Sequence, residues 1–173
     1  ILGTAIINFI NFMDGIDGLV SGSVIIFLIA AFLTTNNNLL PLIGSIIGFL
    51  ILNWNPAKIF MGDVGSTFLG AVLAGTLIQQ NSIDSFFRIM FASSPLLLDT
   101  FICVLRRYFA KQPIFKSHSL HLYQRLCKAG WSHSKVSLNY LISISSCKEI
   151  KIKRHIKFKI IFCRKDSIAY FGN

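Results

Sequence analysis

Between Ile1 and Cys147 the sequence carries no glutamate, and its only acids are Asp14, Asp17, Asp63, Asp84 and Asp99. Long uncharged apolar runs separate them, so the chain needs a non-aqueous solvent for much of its surface. With 53% hydrophobic and 14% charged residues, against about 25% charged in soluble domains, that need is pronounced. A carboxylate in hydrocarbon surroundings is costly, so each of these few acids implies a use.

The apolar runs cover residues 1–12, 18–35, 39–54, 66–80 and 86–105, with a weaker one at 135–147. Asn36-Asn37-Asn38 and Asn55-Pro56 punctuate them. At about 1.5 Å per residue, 15 to 20 residues reach about 23–30 Å, close to a bilayer core of ~30 Å. The expected fold class is all-α, a polytopic transmembrane helical bundle. Length alone does not separate a short span from a buried soluble helix, but charge does. If each run crosses once, residues 8–17, 55–65 and 106–134 share one side, which holds Lys58, Arg106, Arg107, Lys111, Lys116, Arg125 and Lys128. Residues 35–38 and 81–85 share the other and hold no Lys or Arg. That asymmetry predicts the first side to be cytoplasmic.

The net charge of +10 divides unevenly, since residues 148–173 contribute eight Lys/Arg against Glu149 and Asp166. Basicity concentrated in a tail gives little support to a nucleic-acid partner, and none is expected. Cys103, Cys127, Cys147 and Cys163 form no CxxC pair, which argues against a zinc ribbon or a disulfide framework. The first residue, Ile1, lies inside an apolar run and reads as the end of a helix; no signal peptide is legible there.

Three motifs fall on the predicted cytoplasmic side. In Asn8-x-x-Asn11-x-x-Asp14-Gly15-Ile16-Asp17-Gly18, a helical reading sets positions 8, 11, 14 and 17 along one face. Their oxygens suit a hard cation such as Mg²⁺, and the plainer reading is a helix cap or turn. In Lys58-Ile59-Phe60-Met61-Gly62-Asp63-Val64-Gly65-Ser66, one carboxylate sits between glycines ahead of a helix expected to start near Ser66. A helix N-terminus after such a turn is a ready phosphate site, although an N-cap turn is the simpler account. No P-loop pattern is present. In Ser117-His118-Ser119-Leu120-His121-Leu122-Tyr123-Gln124-Arg125-Leu126, a helix would align His118, His121 and Arg125 as a cationic or hydrogen-bonding face. Leu122, Tyr123 and Leu126 would form its apolar face, as in an interfacial helix. Two histidines and Cys127 make an incomplete zinc set.

Taken in order, NxxNxxDGxDGL, FMGDxGSxxLG and a basic loop with HxxHxYQRL resemble the polyprenyl-phosphate N-acetylhexosamine-1-phosphate transferases, over roughly residues 1–140. This superfamily includes the phospho-N-acetylmuramoyl-pentapeptide transferases; the histidine motif and LLLDTFICVLRR look closer to the O-antigen and exopolysaccharide initiators. The resemblance implies transfer of an N-acetylhexosamine-1-phosphate from a UDP-amino sugar to a polyprenyl phosphate lipid. It implies a bacterial inner-membrane enzyme with Mg²⁺ at a cytoplasmic active site, and a homodimer is compatible with it. Asp63 and Asp14 would be metal ligands and catalytic, together with His118 and His121. Asn8, Asn11, Asp17, Lys58, Gly62 and Arg125 would bind substrate.

The family pattern has about ten helices and an upstream aspartate pair, so residues 1–147 are expected to be a C-terminal portion of about five helices. The Lys/Ile/Phe-rich stretch 148–173 departs from that pattern and reads like a frameshifted or truncated frame. The alternatives are an inactive fragment, a peptidoglycan-branch transferase, a CDP-alcohol phosphotransferase, whose Ala-Arg is replaced by Gly18-Leu19, and a transporter, whose carboxylates should lie mid-bilayer.

Overall fold

A computed structural model describes residues 1–33, 38–80, 82–111 and 121–147. They form seven helices: α1 (Leu2–Met13), α2 (Leu19–Phe32), α3 (Leu40–Asn53), α4 (Gly62–Ile78), α5 (Ile83–Phe109), α6 (Leu122–Lys128) and α7 (His133–Cys147). No strand occurs among the described residues. His118, Lys116 and the 148–173 stretch lie outside them.

Local chemistry sets the helix ends. Asp14 leaves helical geometry at φ −80° and ψ 60°, and Gly18 takes a left-handed φ of 72° before α2 begins. The expected ladder 8–11–14–17 therefore does not form. Asn8 and Asn11 stay on α1, while Asp14 caps it and Asp17 lies in the turn beyond. Pro41 stands in the first turn of α3, where its missing N–H costs nothing. α4 starts at Gly62, four residues before the expected start near Ser66, because Gly62 makes the entry at φ 65°. Ser82 caps α5 by accepting the Ser85 N–H at 3.1 Å.

Within α5, Pro95 deprives the Phe91 carbonyl of its helical donor. The Ser94 hydroxyl donates to that carbonyl at 2.7 Å and repairs the gap. α5 has 27 residues, about 40 Å, and is one helix long and apolar enough to cross a membrane. α1 to α4 are apolar but shorter, 12 to 17 residues.

α2 is apolar all round and buried on nearly every side, which makes it the central helix. α3, α4, α5 and α7 surround it, and α1 packs chiefly on α4. There Gly70 lets the helices approach so closely that a Cβ would stand 2.9 Å from the Ile7 Cα. The outer surface is itself apolar: Ile47 and Ile51 of α3, Phe68 of α4, and Phe87, Phe91 and Phe101 of α5 are exposed. An apolar exterior around an apolar core is the arrangement hydrocarbon solvent permits.

Gly18 gives a direct test of this backbone. A Cβ there would meet the Trp54 ring at 2.6 Å in a left-handed conformation. Gly18→Ala is expected to cost about 2 kcal/mol or more. Gly48→Ala, with nothing within 4 Å inside α3, should be neutral or stabilising by about 0.5–1 kcal/mol. Thermal unfolding in one detergent compares the two variants.

Candidate active site

The α1–α2 turn, the α3–α4 loop and the region around α6 converge on one end of the bundle. Asn53, only 5% exposed, ties the first two together. Its Oδ1 accepts the Gly18 N–H at 3.2 Å and the Ser21 hydroxyl at 2.9 Å, and its Nδ2 donates to the Ile59 carbonyl at 3.0 Å. One amide thus fixes the turn that follows Asp14 and the loop that leads to Asp63. Sequence reasoning passed over Asn53; its one signal is a lone amide at the end of an apolar run, two residues before Asn55.

Asp17 adds α7 to the same junction. Its Oδ2 accepts from Asn55 Nδ2 at 2.7 Å and from the Ala57 N–H at 3.4 Å, and His133 Nδ1 lies 3.5 Å away. The Asp17 carbonyl accepts the Ser137 hydroxyl at 2.8 Å, and Ser134 donates to Asn55 Oδ1 at 3.1 Å. Burial pushes the Asp17 carboxyl up, but the bonds from Asn55 and Ala57 and the nearby His133 outweigh it and hold the pKa below the usual range. The structure thus uses Asp17 as a bracket between the α1–α2 turn, the α3–α4 loop and α7, where the resemblance implies a substrate contact.

Asp14 and Asp63, from separate motifs, lie within electrostatic reach of each other. Burial, then the charge of Asp63, raise the Asp14 pKa to about 6. Asp63 is exposed in the first turn of α4, and no side chain caps that helix. Ser66 and Thr67 donate their hydroxyls backward, Thr67 to the Asp63 carbonyl at 2.6 Å, and leave the leading N–H groups to other partners. Lys58 is exposed just upstream, and its N–H is spent on the Leu52 carbonyl at 2.8 Å. Asn8 is exposed higher on α1 and donates back to the Thr4 carbonyl at 2.9 Å, away from the Asp14 turn. Asn11 is partly buried two turns from the α1 start.

His121 does not lie on a helical cationic face. It is the N-cap of α6, with extended backbone at φ −61° and ψ 150°, and is only 3% exposed. Its ring stacks on Tyr123 with centroids 5.7 Å apart. Burial lowers its pKa and Arg107 lowers it further, against an upward pull from Asp99, so a neutral hydrogen-bonding imidazole is favoured. Arg125 is exposed, so the two residues present different surroundings despite the 3.0 Å bond from the Arg125 N–H to the His121 carbonyl. Tyr123 is buried and donates to the Phe12 carbonyl at 3.3 Å, which carries α6 to the end of α1; Gly15 leaves it room. Leu122, expected on an apolar face with Tyr123, is exposed.

Among the described residues no three His, Cys, Asp or Glu side chains gather as a metal set. A pair of mutually repelling carboxylates, Asp14 with Asp63, does fit a cation that takes one or two carboxylates and completes its shell with water and phosphate oxygens, as Mg²⁺ does.

Fold and site together define an all-helical bundle with an apolar exterior and one polar, carboxylate-bearing end. Residues 1–81 match the sequence profile of Glycosyl transferase family 4, and over that stretch the chain is similar to that family. It is 38% identical over 163 residues to a Bacillus subtilis protein named "Probable undecaprenyl-phosphate N-acetylglucosaminyl 1-phosphate transferase", covering 86% of this chain and 45% of that one. It is 34% identical over 170 residues to the decaprenyl-phosphate N-acetylglucosaminephosphotransferase of Mycobacterium leprae, covering 79% and 42%. It is 36% identical over 137 residues to the phospho-N-acetylmuramoyl-pentapeptide-transferase of Staphylococcus carnosus, covering 75% and 42%. The chain spans less than half the length of these relatives.

Proposed function

We propose that this chain contributes the carboxylate-bearing end of an enzyme that transfers N-acetylhexosamine-1-phosphate from a UDP-sugar to a polyprenyl phosphate, in a bacterial inner membrane, with that end facing the cytoplasm. The observation that carries the reading is that Asp14 and Asp63, from two separate motifs, lie within electrostatic reach of each other at the uncapped start of α4. Lys58, Arg106, Arg107, Arg125 and Lys128 lie toward the same end, as the positive-inside rule expects.

In the proposed reaction an oxygen of the lipid phosphate attacks the β-phosphorus of the UDP-sugar. The bond from that phosphorus to the bridging oxygen breaks, its electron pair leaves with UMP, and a lipid diphosphate sugar remains. Two anions must meet, so charge neutralisation is the main demand. Asp63 and Asp14 would hold Mg²⁺, which when bound supplies positive charge to the diphosphate oxygens. The free N–H groups of α4 favour a phosphate at the same place, and Lys58 and Arg125 add cationic partners. Neutral His121 is suited to donate or accept a hydrogen bond. Asn53 and Asp17 hold the two loops in register. The relatives named phospho-N-acetylmuramoyl-pentapeptide-transferases support a second donor, one whose sugar carries a peptide; the phosphorus chemistry is the same.

The proposed metal pair has a pH signature. Asp14 must lose its proton to ligate, and its pKa without metal is about 6. Divalent-cation affinity is expected to be flat above that pH and to fall by about tenfold per unit below it. Mn²⁺ binding to the whole chain in detergent, read by electron paramagnetic resonance, measures this. The transfer itself is tested with a chimera joining the whole chain to the part of the Bacillus subtilis relative that it does not match. UMP should appear only when polyprenyl phosphate is supplied, and release without lipid would overturn the reading.

A further inference from the structure

Asp99 belongs to none of the three motifs, yet it joins α5, α6 and α7. Its carboxylate accepts the Leu122 N–H, at 2.9 Å to Oδ1 and 3.2 Å to Oδ2. Leu122 is the first residue of α6, so Asp99 reaches across from α5 to satisfy a donor that the seven-residue helix cannot satisfy itself. The Tyr140 hydroxyl of α7 donates to Asp99 Oδ2 at 2.9 Å. Gln124 Oε1 accepts the His121 N–H at 3.2 Å, so the backbone on both sides of the His121–Leu122 peptide is held. The imidazole then rests on Tyr123, which is anchored to α1 through the Phe12 carbonyl.

We propose that Asp99 is a positioning residue for His121: it fixes the start of α6 against α5 and α7 and so sets where the imidazole stands relative to the substrate diphosphate. This rests on the transferase reading above. A short helix has little stability of its own, so its placement must come from such tertiary bonds. A carboxylate that accepts several donors at once gives charge-assisted bonds, stronger than neutral ones. The charged and titratable groups facing His121 are Asp99 and Arg107 from α5, Tyr123 from α6 and, through Asp99, Tyr140 from α7; Asp14 lies beyond Tyr123. Asp99 is the acid among those that act on His121, and its charge favours the imidazolium.

Two variants separate position from charge. In Asp99→Asn the amide oxygen can still accept the Leu122 N–H and the amide can donate to Tyr140, so geometry is kept and charge is lost. Asp99→Ala removes both. In the chimera, Asp99→Ala is expected to lower kcat about 10²-fold with KM for the UDP-sugar within about threefold. Asp99→Asn should recover to within about tenfold of wild type. Independently of activity, the NMR titration of His121 in the whole chain in detergent should move to lower pH in Asp99→Asn. A kcat within about threefold of wild type in Asp99→Ala, or a loss in Asp99→Asn as large as that in Asp99→Ala, would overturn the proposal. A wild-type chimera that transfers nothing would sink the transferase reading instead, and His121 ring resonances in the whole chain that stay at their wild-type positions in Asp99→Ala would still overturn the positioning role.

Discussion

Asp63→Asn in the chimera is expected to lower sugar-phosphate transfer by about 10²-fold or more, while Asp84→Asn leaves it near the wild-type rate. The two aspartates are similar in sequence terms, each standing in the first turn of an apolar helix. They lie at opposite ends of the bundle. Asp63 is beside Asp14 at the end where three loops meet, and Asp84 follows the α5 cap at the other. Replacing Asp63 removes one of two proposed ligand charges and leaves the helix start intact, because the bonds of Ser66 and Thr67 go to backbone carbonyls. A second consequence follows with a definite sign. The Asp63 charge contributes to raising the Asp14 pKa, so in Asp63→Asn the acidic limb of Mn²⁺ binding should weaken and move below its wild-type position near pH 6. Steady-state rates at saturating UDP-sugar, with Mn²⁺ titrations at several pH values, check both. Equal losses from Asp63→Asn and Asp84→Asn would point to damage to the bundle.

Asn53→Ala is expected to be the most destabilising single change at this end, by about 3–5 kcal/mol. Its buried amide makes three bonds to partners 35, 32 and 6 residues away in sequence. Alanine leaves a backbone N–H, a hydroxyl and a carbonyl without that partner, and each such buried group costs about 1–3 kcal/mol. At 5% exposure, Asn53 is out of reach of bulk water, which can repay little of it. Asn53→Asp keeps the acceptor, loses the donor to Ile59 and adds a buried charge, so it should also destabilise. Asn55→Ala, partly exposed, should cost less, about 1–2 kcal/mol. Thermal unfolding of the three variants in detergent orders them, and a shift for Asn53→Ala no larger than that for Asn55→Ala would contradict the account.

Much of the helical layout was legible because apolar runs in a chain with so few charges leave few other options. α2 and α3 lie within the runs at 18–35 and 39–54, and the first two of the three motifs behind the resemblance lie within the family match over residues 1–81. What failed was local geometry at the glycines. The i, i+3 reading of residues 8 to 17 assumed a helix that Asp14 and Gly18 end, and α4 began early because Gly62 tolerates a positive φ. The histidine spacing predicts a helical His121 because spacing cannot distinguish an N-cap from the turn that follows it. Asn53 carries no motif, and Asp99 stands out in the sequence only as one of the five acids between Ile1 and Cys147; the reason there is different. Their importance lies in bonds to residues up to 41 positions away, and no local pattern encodes those partners. Asp17 carries the reverse lesson, since a motif carboxylate can be spent on holding loops together.

The central claim is that phosphorus, not the sugar carbon, is attacked at this end of the bundle. The most direct measurement supplies the chimera with UDP-N-acetylhexosamine labelled with ³²P at the β-phosphorus, together with undecaprenyl phosphate. Transfer of sugar phosphate predicts the label in the lipid fraction and unlabelled UMP in solution, both lost in Asp63→Asn. Label remaining in solution as UDP while sugar enters the lipid would place the attack at the sugar carbon and contradict the account.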